Sequence, residues 1–301
     1  MSVAGGSGLP LLAVTLPQFT EDPGPALEAA ADARRLGFAG AFVFDHLWPL
    51  GGDRTRPALE CWTLLAAVAA ATREKSGGFK VGTLVTRAGL RAPALVARMA
   101  ASVGQVAGAP AVIGVGRGDL ANRAENQAFG LPFGDPAERA AELEATVAAL
   151  RGPLAGTPAP EVWVGGTGPG ARELAGRLAD AWNGWARTPA ELAAGLAGAR
   201  EAAERAGRDP AMVAATWGGQ VLVAPDRREA EARLVRWAPG RPAADLARVI
   251  AGDPDTVVAR LGELGDAEAT WCVVAAVGGP GAETRALLAA AAGLSPREEI
   301  S

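Results

Sequence analysis

Eight largely apolar runs punctuate this chain, each followed by a helix-like segment, and that alternation restricts its fold more than any other feature. The runs are Leu11–Pro17, Gly40–Asp45, Phe79–Thr86, Ala111–Gly116, Val162–Val164, a strand from about Ala181, Met212–Ala224 and Thr270–Val277. They do not alternate apolar with polar residues, as strands with one wet face do. Parallel strands covered on both faces read this way. Helices are expected over Pro25–Leu36, Ala58–Thr72, Pro93 to about Val106, Pro136–Leu150, Ala171–Leu178, Pro189–Ala206, Asp226–Trp237, Pro254–Leu264 and Ala282–Ala292. Proline suits the first helical turn, Gly37 can close the first helix, and Thr188 and Asp253 are candidate N-caps. Gly218-Gly219 is expected to break the seventh strand, and Pro239–Ile250 to be an insertion. Eight βα units in 301 residues predict an α/β fold, a (β/α)8 TIM barrel, with a doubly wound sheet as the alternative. No linker splits the chain. One domain over residues 9–295 is expected, with tails at 1–8 and 296–301; the first tail is expected to be disordered.

The composition removes several kinds of chemistry. A net charge of −4 with no basic run argues against nucleic acid as a partner. No stretch of about 18 apolar residues predicts a membrane span, and the N-terminus lacks the order of a signal peptide. Cys61 and Cys272 form neither a CxxC unit nor a disulfide framework, so a reducing cytoplasm is the expected compartment. A single histidine, His46, rules out a histidine-built metal site, and no metal is expected. The two lysines, Lys75 and Lys80, precede or begin the third strand, the wrong end of a barrel for a Schiff base.

Barrel active sites lie at the C-terminal strand ends. The second strand ends in Asp45-His46, and histidine is the side chain most readily tuned for proton transfer near neutral pH. Asp45 is placed to orient it or to cap the loop. The long loop after the fourth strand, Arg117–Asp135, carries Asp119 and Glu125, either of which is a candidate acid–base partner. Arg117 is a candidate contact for an anionic ligand. Trp48, Trp62, Trp185 and Trp217 are candidate walls for a flat ligand, although Trp62 lies in an apolar helix and suits the core. The fifth strand runs into Gly165-Gly166-Thr167-Gly168-Pro169-Gly170 and then a helix. Such a turn exposes backbone N–H groups beside a positive helix end and suits a phosphate; a plain tight turn is the alternative. It is neither a Walker loop nor a dinucleotide fingerprint. Few acid–base groups, a phosphate cradle and aromatic walls together predict that a cofactor carries the chemistry.

Several stretches in order carry a family resemblance. They are Phe44-Asp45-His46-Leu47, Glu60-Cys61-Trp62-Thr63-Leu64-Leu65, Val81-Gly82-Thr83-Leu84-Val85-Thr86, Ile113-Gly114-Val115-Gly116, Ala128-Phe129-Gly130-Leu131-Pro132, Val164-Gly165-Gly166 and Leu178-Ala179-Asp180-Ala181-Trp182-Asn183. Over nearly its whole length the chain resembles the luciferase-like oxidoreductase superfamily, and within it the deazaflavin (coenzyme F420)-dependent branch. The resemblance implies a TIM barrel, usually a homodimer, with coenzyme F420, or alternatively FMN, at the C-terminal mouth. It implies that Gly165, Gly166, Thr167 and Gly168 hold the cofactor phosphate, helped by Gly184 and Trp185. It places a non-proline cis peptide within Thr83, Leu84 and Val85, supporting the cofactor ring. His46 with Asp45 before it would lie by the reactive ring, and Asp119 is the nearest match to an acid that donates a proton. The segment Arg87–Pro93 departs from the family pattern, and Leu50 stands where sugar-phosphate-oxidising members have tryptophan. The function implied is hydride transfer between deazaflavin and a small organic substrate. The alternatives are an FMN monooxygenase using reduced flavin and oxygen, and a cofactor-binding protein without turnover.

Overall fold

A computed structural model of the chain describes residues 8–49, 54–73, 78–156 and 159–297. Residues 1–7 of the tail expected at 1–8, residues 298–301 of the tail expected at 296–301, Leu50, Gly51-Gly52 and Lys75 lie outside the described residues. In chain order the elements are β1 (Leu11–Thr15), α1 (Gly24–Arg35), β2 (Gly40–Val43), α2 (Cys61–Ala71), β3 (Lys80–Arg87), α3 (Pro93–Ala107), β4 (Val112–Gly116), α4 (Asn122–Ala128), α5 (Pro136–Arg151), β5 (Glu161–Gly165), α6 (Pro169–Leu178), β6 (Ala181–Trp185), α7 (Pro189–Arg205), β7 (Ala214–Val223), α8 (Arg227–Trp237), α9 (Ala243–Leu246), β8 (Ile250–Gly252), α10 (Pro254–Asp266), β9 (Ala269–Ala276) and α11 (Gly281–Ala291). The strands run β6-β5-β4-β3-β2-β1-β9-β7, and a β6–β7 pairing closes the ring. All pairings are parallel, so this is the expected (β/α)8 barrel.

Three sequence expectations are corrected. β7 continues unbroken through Gly218-Gly219, because both glycines serve packing: a Cβ on Gly219 would lie 2.3 Å from the Trp217 ring. The segment 239–250 is not an undefined insertion. It contains α9 and leads into β8, which pairs with Val221–Val223 where β7 outruns the barrel. The loop after β4 contains α4. Thr188 and Asp253 do cap α7 and α10, accepting from the N–H groups of Glu191 and Thr256. Among the described residues no helix is long and apolar enough to cross a membrane.

The barrel is filled by aromatic rings. Phe42 of β2 stacks on Trp163 of β5 with centroids 5.3 Å apart, and Trp271 of β9 meets both edge-on at 6.1 and 5.6 Å. Such pairs contribute about 0.5–1.5 kcal/mol each beyond the area they bury. Small residues opposite make the room. A Cβ on Gly82 would fall 2.7 Å from Phe42, and Ala13 and Ala181 complete the layer. This plug forms a floor beneath the C-terminal mouth. Trp163→Ala is therefore expected to destabilise the protein by about 3–5 kcal/mol in chemical denaturation. A loss below 1 kcal/mol would show that the ring does not fill the barrel.

Candidate active site

β2 delivers Phe44, Asp45 and His46 to the mouth, and Gln18 holds them there. The Gln18 amide donates to the Phe44 carbonyl at 2.8 Å and accepts from the Phe44 N–H at 2.6 Å. Asp45 is buried, and of the two roles expected for it, orienting the ring or capping the loop, its hydrogen bonds do not include the first. Its carboxylate accepts from Thr86 Oγ1 (2.8 Å), the Arg87 N–H (3.0 Å) and both terminal nitrogens of Arg91 (2.7 and 3.2 Å). Arg91 also reaches Glu60, the N-cap of α2, at 2.6 Å. Trp62 donates to Thr86 Oγ1 at 3.1 Å and is otherwise core. Asp45 thus ties β2, β3 and α2 together and has no carboxylate oxygen left free of protein donors.

The partner of His46 is Glu125, on α4. His46 Nδ1 lies 3.3 Å from Glu125 Oε2, and the histidine side chain is 19% exposed while the carboxylate is buried. Glu125 Oε1 accepts from the backbone N–H groups of Leu47 and Trp48. Its Oε2 also faces Arg87 Nη1 and Asn122 Nδ2, each at 3.2 Å. Arg87 in turn donates to the Asp45 carbonyl and to Asn126 Oδ1, both at 2.8 Å. Burial alone would raise the Glu125 pKa, but the hydrogen bond from His46, the Arg87 charge and the Leu47 N–H outweigh it, and the group stays below the usual carboxylate range. Asp119 does not reach this cluster. It is exposed, and its carboxylate accepts from the Ala121 N–H at 2.8 Å at the approach to α4. The sequence signal for Glu125 was the spacing of Asn122, Glu125 and Asn126, one inward face of a helix in what reads as a loop.

Next to this cluster, β3 carries a cis peptide between Leu84 and Val85, inside the expected Thr83–Val85 window. The Thr83 hydroxyl is committed to the Gly114 carbonyl at 2.8 Å. Val85 nests among three glycines: a Cβ on Gly114, Gly116 or Gly165 would lie 2.9, 2.6 or 2.8 Å from its methyl groups. Leu84 reaches across to Gly218 and forms the mouth floor with Phe44 and Trp185, whose rings meet edge-on at 5.8 Å. Gly184 faces outward, where a Cβ would meet Arg187, Trp182 and Leu192, so its smallness serves packing. Trp217 also faces outward, donating to the Arg187 carbonyl at 2.9 Å, and does not wall the site. Trp48 stands at the rim against Phe129, with Arg54 over its ring.

Two places offer N–H groups to an anion. In the turn after β5, Gly166 has φ +140, Thr167 is exposed and α6 has no side-chain cap. A Cβ on Gly168 or Gly170 would meet nothing within 4 Å, so the cradle is open. The second place is a cavity of about 20 Å³ lined by Arg87, Arg117 and Arg139. Buried Arg87 Nη2 and Arg139 Nε and Nη1 lack a hydrogen-bond partner among the described residues, although the Arg139 guanidinium lies over the Phe133 ring at 4.3 Å. That volume has room for a single water and is too small for a phosphate. The glycine turn, by contrast, is open to a larger group.

A luciferase-like monooxygenase family model matches residues 10–270. The chain belongs to this family. A phthiodiolone/phenolphthiodiolone dimycocerosates ketoreductase from Mycobacterium sp. (strain JLS) is 32% identical over 180 residues, covering 52% of this chain and 46% of that protein. An F420-dependent glucose-6-phosphate dehydrogenase from Beutenbergia cavernae is 33% identical over 174 residues, 49% of this chain and 48% of that protein. The chain spans about half the length of the curated relatives it matches. The luciferase-like fold is shared with an F420-dependent secondary alcohol dehydrogenase in complex with an F420–acetone adduct: TM-score 0.79, 19% identity, 94% of this chain and 99% of that one. It is shared too with a monooxygenase from Streptomyces bottropensis at TM-score 0.72, 20% identity, 93% and 97%.

The depressed Glu125 pKa sets a pH dependence. A lowered carboxylate contributes stability above its unfolded value, near 4.5, and loses it as pH falls through the folded value. Wild type is expected to exceed Glu125→Gln in stability at pH 7, with the gap closing below about pH 4.5. Denaturant titrations at both pH values check this; a gap that is the same at pH 7 and pH 3.5 would contradict it.

Proposed function

We propose that this chain is a coenzyme F420-dependent oxidoreductase that moves a hydride between the deazaflavin and a small organic carbonyl or alcohol. The observation that carries the reading is the single histidine. It stands at the barrel mouth with Nδ1 tied to a buried carboxylate, and no hydrogen bond occupies Nε2 among the described residues. The named activities of the relatives, a ketoreductase and F420-dependent dehydrogenases, support the same chemistry.

The residues fit an anionic tricyclic cofactor. Gly166, Thr167 and Gly168, with the α6 N-terminus, would hold its phosphate. Leu84, Val85 and Trp185 offer an apolar shelf for the ring, and Gly165 and Thr83 act by keeping that shelf in place. When bound, the deazaflavin takes up or gives back the hydride and its electron pair. His46 moves the proton, accepting it from a substrate hydroxyl in oxidation and returning it to a carbonyl oxygen in reduction. Asp45 acts by fixing the segment that carries His46, and Asp119 by shaping the approach to α4. Phe44, Trp48, Phe129 and Leu120 give the rim an apolar character suited to an uncharged substrate, and the buried Arg87 and half-buried Arg91 are both bound to carboxylates. A cytoplasmic homodimer belongs to the same reading. FMN with reduced flavin and oxygen is the alternative, supported by the monooxygenases that share the fold.

Titration of the purified protein with coenzyme F420 and separately with FMN, followed by cofactor fluorescence, tests the assignment. Deazaflavin is expected to bind, and Gly168→Asp to weaken it at least tenfold by placing bulk and charge in the cradle. Preference for FMN would move the reading to the monooxygenase, and binding of neither would overturn it. In the loaded enzyme His46→Ala is expected to lower kcat about 10²–10⁴-fold with cofactor affinity unchanged. Cofactor binding with no turnover by wild type on any carbonyl or alcohol would instead indicate a binding protein.

A further inference from the structure

We propose that Glu125 is a positioning residue that fixes the tautomer of His46, holding the imidazole proton on Nδ1 and leaving Nε2 as the basic nitrogen of the mouth. The consequence for catalysis rests on the proposed function; the tautomer itself does not.

The argument is one of donors and acceptors. An ionised carboxylate only accepts hydrogen bonds. Glu125 is surrounded by donors: the Leu47 and Trp48 N–H groups on Oε1, and Arg87 Nη1 and Asn122 Nδ2 on Oε2. Among the described residues no acidic side chain contacts it, and Arg87 balances its charge. The fifth neighbour, His46 Nδ1 at 3.3 Å from Oε2, must therefore be an N–H. A neutral imidazole carries one proton, so Nε2 then holds a lone pair and has no protein partner among the described residues. A proton taken from a substrate hydroxyl arrives at Nε2, and the resulting imidazolium stands against the Glu125 carboxylate. In the reverse direction the same proton leaves Nε2 for a carbonyl oxygen. The nearer acid in sequence, Asp45, cannot take this part, because Arg91, Thr86 and Arg87 fill its oxygens.

The same geometry makes Glu125→Gln an inverting substitution rather than a neutral one. Two backbone N–H groups converge on the Oε1 position, so the carbonyl oxygen of the glutamine belongs there. Its NH₂ group then occupies the Oε2 position and donates to Nδ1, which drives the imidazole proton to Nε2. Asn122 could turn its amide oxygen toward the new NH₂ only by giving up the bond that oxygen accepts from the Asp119 N–H, and Arg87 cannot change its polarity, so the variant is expected to be less stable than wild type.

The sole histidine makes the test unambiguous, since a tag-free, ¹⁵N-labelled chain contains one imidazole. Long-range ¹H–¹⁵N correlation spectra of the cofactor-free protein, above the pH at which the ring titrates, report which nitrogen is protonated. Wild type is expected to show a protonated Nδ1 and an unprotonated Nε2; Glu125→Gln is expected to show the two nitrogen shifts exchanged. A wild-type ring protonated on Nε2, or a fast-exchanging mixture, would overturn the proposal. So would a folded Glu125→Gln protein with unaltered shifts. If the variant does not fold, the wild-type spectrum decides alone. An Nδ1–H ring in a protein that binds no deazaflavin would leave the tautomer lock standing and sink the proposed function. Deazaflavin turnover with an Nε2–H ring would do the reverse.

Discussion

Two buried ion pairs hold the mouth of this barrel, and the candidate site depends on both. Asp45–Arg91 fastens the end of β2 to β3 and to the start of α2. Arg87–Glu125 fastens β3 to α4 and turns His46 toward the opening. Burying such charges is costly unless their remaining hydrogen-bonding positions are filled, and removing one member of a buried pair costs about 3–5 kcal/mol. Here backbone N–H groups, Thr86, Asn122 and Asn126 fill most of them, although Arg87 keeps one unpartnered nitrogen beside a small cavity. A cluster like this specifies geometry more than it stabilises the fold. The apolar alternative would pack well but would leave the histidine without a fixed direction.

Beneath the cluster the barrel supplies rigidity. Phe42, Trp163 and Trp271 plug its interior, and Gly82 on the neighbouring strand leaves room for Phe42. Higher up, the three glycines around Val85 allow the Leu84–Val85 segment to sit flush against β4 and β5. The floor of the mouth is therefore set by close packing, its wall by charge, and its open side by the glycine turn before α6.

Much of the fold was legible in the sequence, because strands buried on both faces leave continuous apolar runs. The glycine turn was legible in the residues themselves, whereas the cis peptide window was legible only through family resemblance. What failed had physical causes. Gly218-Gly219 read as a break, but the glycines there make room for Leu84, Trp185 and Trp217, and packing across the barrel has no local signature. Asp45 was placed against its chain neighbour His46, but its arginines come 42 and 46 positions later. Asp119 drew notice by following a strand end closely, whereas Glu125 acts from a short helix whose polar face is buried. Both acids were candidates in the sequence, and the Asn122, Glu125 and Asn126 spacing fits one helix face, but an inward-facing polar face runs against the usual apolar pattern and did not single Glu125 out.

Hydride transfer at this mouth is most directly tested by isotope. Reduced deazaflavin bearing deuterium at the transferring carbon is mixed anaerobically with the enzyme and a panel of apolar ketones, and the product alcohol is examined by mass. Deuterium on the carbinol carbon of the product, formed without oxygen, is the predicted result. Turnover that requires oxygen, or an alcohol free of the label, would contradict the account.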